Sequence, residues 1–129
     1  MKYELIILFI LTLLSCSSDD TNVINSSDLK GKWIEVGTRM DTLFFESWEN
    51  FDIMNLYRGK EIRNGHLLPK SGSGSYEYKL AEESISLHWM LSSEMNFNNY
   101  YFNLEGNRLN IENFYGSPLG ETLTFEKLE

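Results

Sequence analysis

From residue 29 onward, apolar and polar positions alternate with a period of two rather than 3.6. Tyr76, Tyr78 and Leu80 alternate with Glu77 and Lys79, and Ile85, Leu87, Trp89 and Leu91 alternate with Ser86, His88 and Met90. That period puts one face of each segment in a core and the other in water, which is the pattern of a half-buried strand. Between the two runs, Ala81-Glu82-Glu83-Ser84 is a short turn, so the pair reads as a hairpin. A second hairpin runs out along Tyr100, Phe102 and Leu104 and returns along Leu109 and Ile111 across Glu105-Gly106-Asn107-Arg108. Leu123, Phe125 and Lys127 form a last strand after the Gly116-Ser117-Pro118-Leu119-Gly120 break. In the first half, residues 32–36, 41–46 and 51–57 read as strands, and residues 47–50 as a tight or briefly helical turn. Residues 65–74, with Pro69 and the Ser71-Gly72-Ser73-Gly74-Ser75 segment, read as a long mobile loop. No stretch forms a persuasive amphipathic helix, and the hairpins are the only internal repeat.

About eight short antiparallel strands joined mostly by tight turns predict an all-β domain. An open sheet would leave two edges unpaired, whereas closing it removes them, so the expected architecture is a small up-and-down barrel. Aromatic residues, 14% of the chain and mostly one-sided in their strands, suit a barrel interior. A two-sheet β-sandwich is the alternative, because the same alternation serves it equally well.

The first sixteen residues are of a different kind. Residues 5–14 are apolar save Thr12, follow Lys2, and end on Ser15 and Cys16, the only cysteine. A helix of about ten residues rises roughly 15 Å, half of a hydrocarbon core, and so cannot serve as a permanent span. Leu13-Leu14-Ser15-Cys16 resembles the lipobox of bacterial lipoproteins. The resemblance implies that residues 1–15 are a signal peptide and that Cys16 is lipidated as the new N-terminus, anchoring the chain in the outer membrane. Glu4 departs from the usual acid-free start, and the competing reading is an ordinary secretory signal with an incidental cysteine. A lone cysteine forms no intramolecular disulfide, and lipidation accounts for its presence. Three acyl chains would make the anchoring effectively permanent.

Residues 16–28 are rich in Ser, Asp and Asn and read as a flexible tether. Within it, Ser17-Ser18-Asp19-Asp20 resembles the surface-export signal of Bacteroidota lipoproteins, which implies display at the cell surface; the competing reading is the solvated start of the tether. Asn25-Ser26-Ser27 matches a glycosylation triplet by chance in such a setting. Asp41-Thr42-Leu43 resembles the short site that some Bacteroidota O-glycosylate, and reads equally as the start of a strand.

Leu29-Lys30-Gly31-Lys32-Trp33 resembles the Gly-x-Trp opening of lipocalin-like domains, and Leu123-Thr124-Phe125-Glu126-Lys127-Leu128 is similar to their closing strand. The resemblance implies a lipocalin-like barrel over residues 29–129. Gly31 would permit a tight entry and Trp33 would pack across the closed end. The Thr-Asp-Tyr triplet of transport lipocalins is missing, so the resemblance implies no specific ligand.

Formal net charge is −8. A domain this acidic repels phosphate backbones, so neither nucleic acid nor an anionic membrane surface, beyond the anchor itself, is an expected partner. His66 and His88 are too few for a metal centre with Cys16 consumed by lipid, and no metal or other cofactor is expected. Glu46, Glu49 and Asp52 are close in sequence and Glu82-Glu83 sit in a turn, but catalysis needs carboxylates held across a cleft. With no nucleophile elbow, phosphate loop or calcium loop, an enzyme is not expected.

The remaining candidates are aromatic and methionine side chains. Phe44, Met54, Tyr57, Tyr76, Tyr78, Trp89, Met90, Phe97 and Tyr100 would fill the barrel or line a cavity within it. The candidate pocket is Phe44, Met54, Tyr57, Tyr78, Trp89, Tyr100 and Phe102, with residues 65–74 near its entrance, and its ligand a small hydrophobic or amphipathic molecule. The alternative is a protein-interaction or inhibitor lipoprotein of the envelope with a filled core, using exposed Tyr101, Phe114 and Tyr115. A void inside the barrel would mark the first class, and a solid core with an external apolar patch the second.

Overall fold

The computed structural model describes residues 23–116 and 121–129. The expected leader, Cys16 and the Asp19-Asp20 pair lie outside the described residues, as do Ser117, Pro118, Leu119 and Gly120. A single helical turn, α1 (Ser26–Leu29), precedes ten strands: β1 (Gly31–Glu35), β2 (Thr42–Trp48), β3 (Phe51–Tyr57), β4 (Lys60–Arg63), β5 (His66–Pro69), β6 (Gly74–Leu80), β7 (Ser84–Trp89), β8 (Asn98–Glu105), β9 (Arg108–Glu112) and β10 (Thr122–Leu128). Eight of them close an antiparallel barrel in the order β1-β10-β9-β8-β7-β6-β3-β2, and β4 with β5 forms a separate two-stranded sheet. The fold is the expected all-β up-and-down barrel, and the sandwich is not formed.

Period-two alternation sets which residues turn inward. Trp33, Leu43, Phe45, Met54, Leu56, Tyr78, Ile85, Leu87, Phe102, Leu109, Ile111 and Phe125 form one buried cluster. On the outer face, neighbouring strands are stitched by polar side chains. Ser75 Oγ donates to Asn55 Oδ1 and Asn55 Nδ2 to Glu46 Oε1. Around the barrel, Asn110 Nδ2 donates to Asn103 Oδ1 while Thr124 Oγ1 donates to Asn110 Oδ1. Asn103, Asn110 and Thr124 stand directly opposite one another across three strands, so these bonds fix register on the face where hydrophobic burial cannot.

Two segments differ from the sequence reading. Residues 65–74 are not one loop: Asn64 and Gly65, both at positive φ, turn β4 into β5, and Gly74 opens β6. This is the two-residue Asn-Gly turn whose left-handed geometry matches strand twist. Residues 16–28 also end in structure rather than tether. Asn25 N–H donates to Asp28 Oδ2, Ile24 packs on the core, and α1 carries Leu29 with no exposed surface.

That short helix closes one end of the barrel. Trp33 Nε1 donates to Leu29 O at 2.8 Å, and Lys127 Nζ lies 5.3 Å from the Trp33 ring centre while donating to Asp28 O. Gly31 between them has φ +114, and a side chain there would meet Lys127 at 3.5 Å as well as backbone strain. Trp33 itself has no exposed surface. Replacing Trp33 with Phe would leave the buried Leu29 carbonyl unpaired and a small void, at a cost of about 2–3 kcal/mol. Urea denaturation of the Trp33→Phe chain is expected to move the midpoint down with an unchanged slope.

Candidate functional site

The strands deliver different chemistry to the two ends. At the base the connections are tight: residues 49–50, 81–83 and 106–107. At the mouth lie the β1–β2 loop, the β4–β5 insertion, the β7–β8 connection, and the β9–β10 connection that begins with a 3-10 turn, Phe114–Gly116. A pocket of about 370 Å³ opens here, lined by groups from several of these loops, among them Glu35, Thr38, Asp41, Arg58, Lys70 and Tyr115.

Its floor is aromatic. Phe114, fully buried, stands edge-on to Phe125 and to Tyr100, with ring centres 6.1 and 5.5 Å apart. Tyr115 follows at φ 48 and ψ 53, a left-handed conformation that costs a bulky residue energy. Asn113 also has positive φ, so two left-handed residues bracket Phe114 and turn Tyr115 into the mouth. The Tyr115 ring lies 5.3 Å from that of Tyr76 and 6.3 Å from that of Tyr100. Gly72 covers it from the β5–β6 connection: at φ +86, its missing Cβ would sit 3.2 Å from the Tyr115 ring. Tyr76 donates its hydroxyl to Gly72 O at 2.7 Å, and the buried Tyr115 hydroxyl lies against that of Tyr76. Burial pushes the Tyr115, Tyr76 and Tyr100 phenols upward from the ordinary value, so all three stay protonated and neutral at physiological pH.

The rim is charged. Arg58 Nε contacts Asp41 Oδ2 at 3.2 Å and Arg58 Nη1 donates to Ser71 O at 2.8 Å, which ties the start of β2, the end of β3 and the loop before β6 together. Glu35, on the inward face at the end of β1, accepts from Gly37 N–H, Thr38 N–H and the Thr38 hydroxyl at 2.6, 2.6 and 2.8 Å.

Below the mouth the barrel is filled. Trp33, Leu43, Met54, Ile85, Leu109, Ile111 and Phe125 have no exposed surface, neither to bulk solvent nor to an internal void wide enough for water. Of the pocket residues expected from sequence, Met54, Tyr78 and Phe102 are part of this filling. Tyr100 is half-buried under Phe114 and Tyr115, and Trp89 lies at the rim against Gly74. Phe44 and Tyr57 are corrections: 42% and 56% exposed, they stand on the outer face, because Leu43, Phe45 and Leu56 take the inward positions beside them. The expected interaction patch is corrected too. Tyr101 is exposed, but Phe114 is buried and Tyr115 plugs the mouth.

None of the seven expected residues lines the mouth pocket itself. Its walls come from strand ends, where period-two reasoning stops. The signal that was present is the placement of Glu35, Asp41 and Arg58 at the ends of three consecutive strands, and of Phe114-Tyr115 beside a Gly-Pro break.

A second cavity, about 460 Å³, lies at the base between residues 23–26 and the ends of β3 and β6, and touches Tyr78. The Tyr78 hydroxyl is buried without a partner, and burial pushes its pKa up. His66 is exposed on β5, whereas His88 is buried under the β7–β8 connection, its Nε2 3.0 Å from Glu94 O and its Nδ1 4.0 Å from Glu77 Oε2. Among the described residues no three His, Cys, Asp or Glu side chains gather to hold a metal ion. No described helix is long and apolar enough to cross a membrane.

Comparison with protein-family models, curated proteins and solved structures finds no match to this chain.

The Glu35 network has a pH signature. Burial raises the carboxyl pKa, but the hydrogen bonds from Thr38, Gly37 and Arg39 together outweigh it, and the folded value lies below the ordinary 4.5. A lowered folded pKa contributes stability that is complete above the unfolded value and is lost as pH falls through the folded one. Thermal unfolding of Glu35→Gln is therefore expected to show a lower Tm than the parent at pH 7 and a difference that shrinks as pH drops below about 4.5.

Proposed function

We propose that this protein is a lipid-anchored, lipocalin-like binding protein of the cell envelope that takes a small amphipathic molecule at the barrel mouth rather than at its centre. The observation that carries this reading is Tyr115: a bulky side chain in a left-handed backbone conformation, turned into a pocket, with its hydroxyl buried against that of Tyr76. Strained residues of this kind cluster at ligand clamps and switches. Tyr115 occupies the space a ligand's apolar part would take, over a floor formed by Phe114 and Tyr100, while Arg58 and Lys70 offer charge to a polar head. Anchoring through Cys16 in the outer membrane, with the acidic pair after it directing surface display, rests on the lipobox resemblance and supplies the location. The filled lower barrel supports the alternative of an interaction lipoprotein, which would need no ligand at all.

The fluorescent probe 1-anilinonaphthalene-8-sulfonate combines a flat apolar body with a sulfonate and suits this test. Replacing Tyr115 with Gly relieves the left-handed strain and empties the plug. Titration is expected to show Tyr115→Gly binding the probe about ten-fold more tightly than the parent, a gain of roughly 1.4 kcal/mol. Arg58→Gln is expected to weaken binding. Equal affinity in all three chains would remove the mouth as a ligand site and leave the interaction reading.

A further inference from the structure

We propose that the β4–β5 hairpin is a docking element for an anionic lipid bilayer. Every residue from Ile62 to Pro69 is exposed, and the hairpin pairs with no barrel strand, so it projects from the mouth as a free two-stranded finger. Ile62 and Leu67 face each other across it, 78% and 63% exposed, and Leu68 is exposed on the opposite face. An isolated two-stranded hairpin with a bare apolar face is marginal in water and gains stability when that face is covered.

Charge says what covers it. The chain carries a net charge of −8, yet residues 58–70 hold Arg58, Lys60, Arg63 and Lys70 against a single acidic residue, Glu61. Arg63 pairs with Glu61 at 2.8 Å and Arg58 with Asp41 at 3.2 Å, so the local excess of positive charge is carried by Lys60 and Lys70. A basic, apolar finger on an acidic barrel matches a surface that is negative outside and greasy beneath, and basic groups near headgroups add to apolar insertion. Repulsion from the barrel's own acidic surface does not defeat this, because screening limits it to about 8–10 Å at physiological salt. A projecting hairpin of four-residue strands, at about 3.3 Å per residue, reaches past that distance. On the neighbouring β7–β8 connection at the same end, Leu91 and Met95 are also exposed, and Trp89 stands at the rim. A second protein is the weaker fit. A stable interface takes roughly 20–30 residues a side, and the exposed run of the hairpin has eight. The expectation that net charge alone keeps the domain off anionic lipid is thereby replaced by a local one, and this inference holds whether or not the mouth takes a ligand.

Amide hydrogen exchange on the full chain tests it, with phosphatidylglycerol–phosphatidylcholine vesicles compared with phosphatidylcholine alone. Adsorption through the N-terminal side would bring the base toward lipid, so the β8–β9 turn at that end serves as the internal reference. The expected result is exchange in residues 61–68 slowed at least about five-fold by the anionic vesicles only, with the effect lost in about 0.5 M salt. Lys60→Glu with Arg63→Glu, and separately Ile62→Ser with Leu67→Ser, should each abolish the protection, and neither pair touches the core. Equal exchange in both vesicle types would overturn the proposal. So would protection that needs no vesicles and rises with protein concentration, which would assign the finger to a second copy of the chain.

Discussion

Pairing of β1 with β10, from Lys32 opposite Leu128 to Glu35 opposite Phe125, is the constraint on which the rest of the molecule depends. Without it the sheet would have two edges and no inside. With it, the inward residues of eight strands face one another across a space about wide enough for side chains to fill. Trp33 is buried because β1 is held on both flanks, by β10 and by β2. The base is sealed because the same strand entry places Leu29 within hydrogen-bonding reach of the Trp33 ring.

Closure also explains why chemistry collects at one end. Large inward side chains, Phe45, Tyr78 and Phe102 among them, use up the lower volume. Besides the cavity beside residues 23–26 at the base, space is left where strands stop and loops lengthen, and there the chain places an ion pair, a carboxylate held by backbone amides and a tyrosine plug. The packed base and the irregular mouth perform separate tasks, the first holding the second in position.

The fold was legible because its burial is one-sided: Tyr76, Tyr78, Ile85, Leu87, Phe102, Leu109 and Ile111 alternate cleanly with polar neighbours, and the structure places each of them inside. Legibility failed where one side chain's direction depends on its neighbours. In Leu43-Phe44-Phe45 three apolar residues run together, and only register decides that Phe44 is the outward one. Lys60 to Pro69 lacks any polar alternation because both of its faces meet water, so the first strand of a real hairpin drew no assignment and the second fell within the expected loop at residues 65–74, despite the Asn-Gly turn between them. Tyr115 reads from sequence as an exposed interaction residue and not as a plug of the mouth, since its position follows from left-handed backbone at Asn113 and Tyr115 and not from any periodicity.

Because Lys32 stands opposite Leu128, the segment entering the barrel and the segment leaving it emerge side by side at the sealed end. The described chain is in this sense a loop cut at its quietest point. A short linker could join the two, and new ends could be opened at Asn64-Gly65, where the finger turns in open solvent, without unpairing any strand of the barrel. A circularly permuted chain of that kind would present its sequence to the outside from the mouth, exchanging the end that is held for the end that is offered.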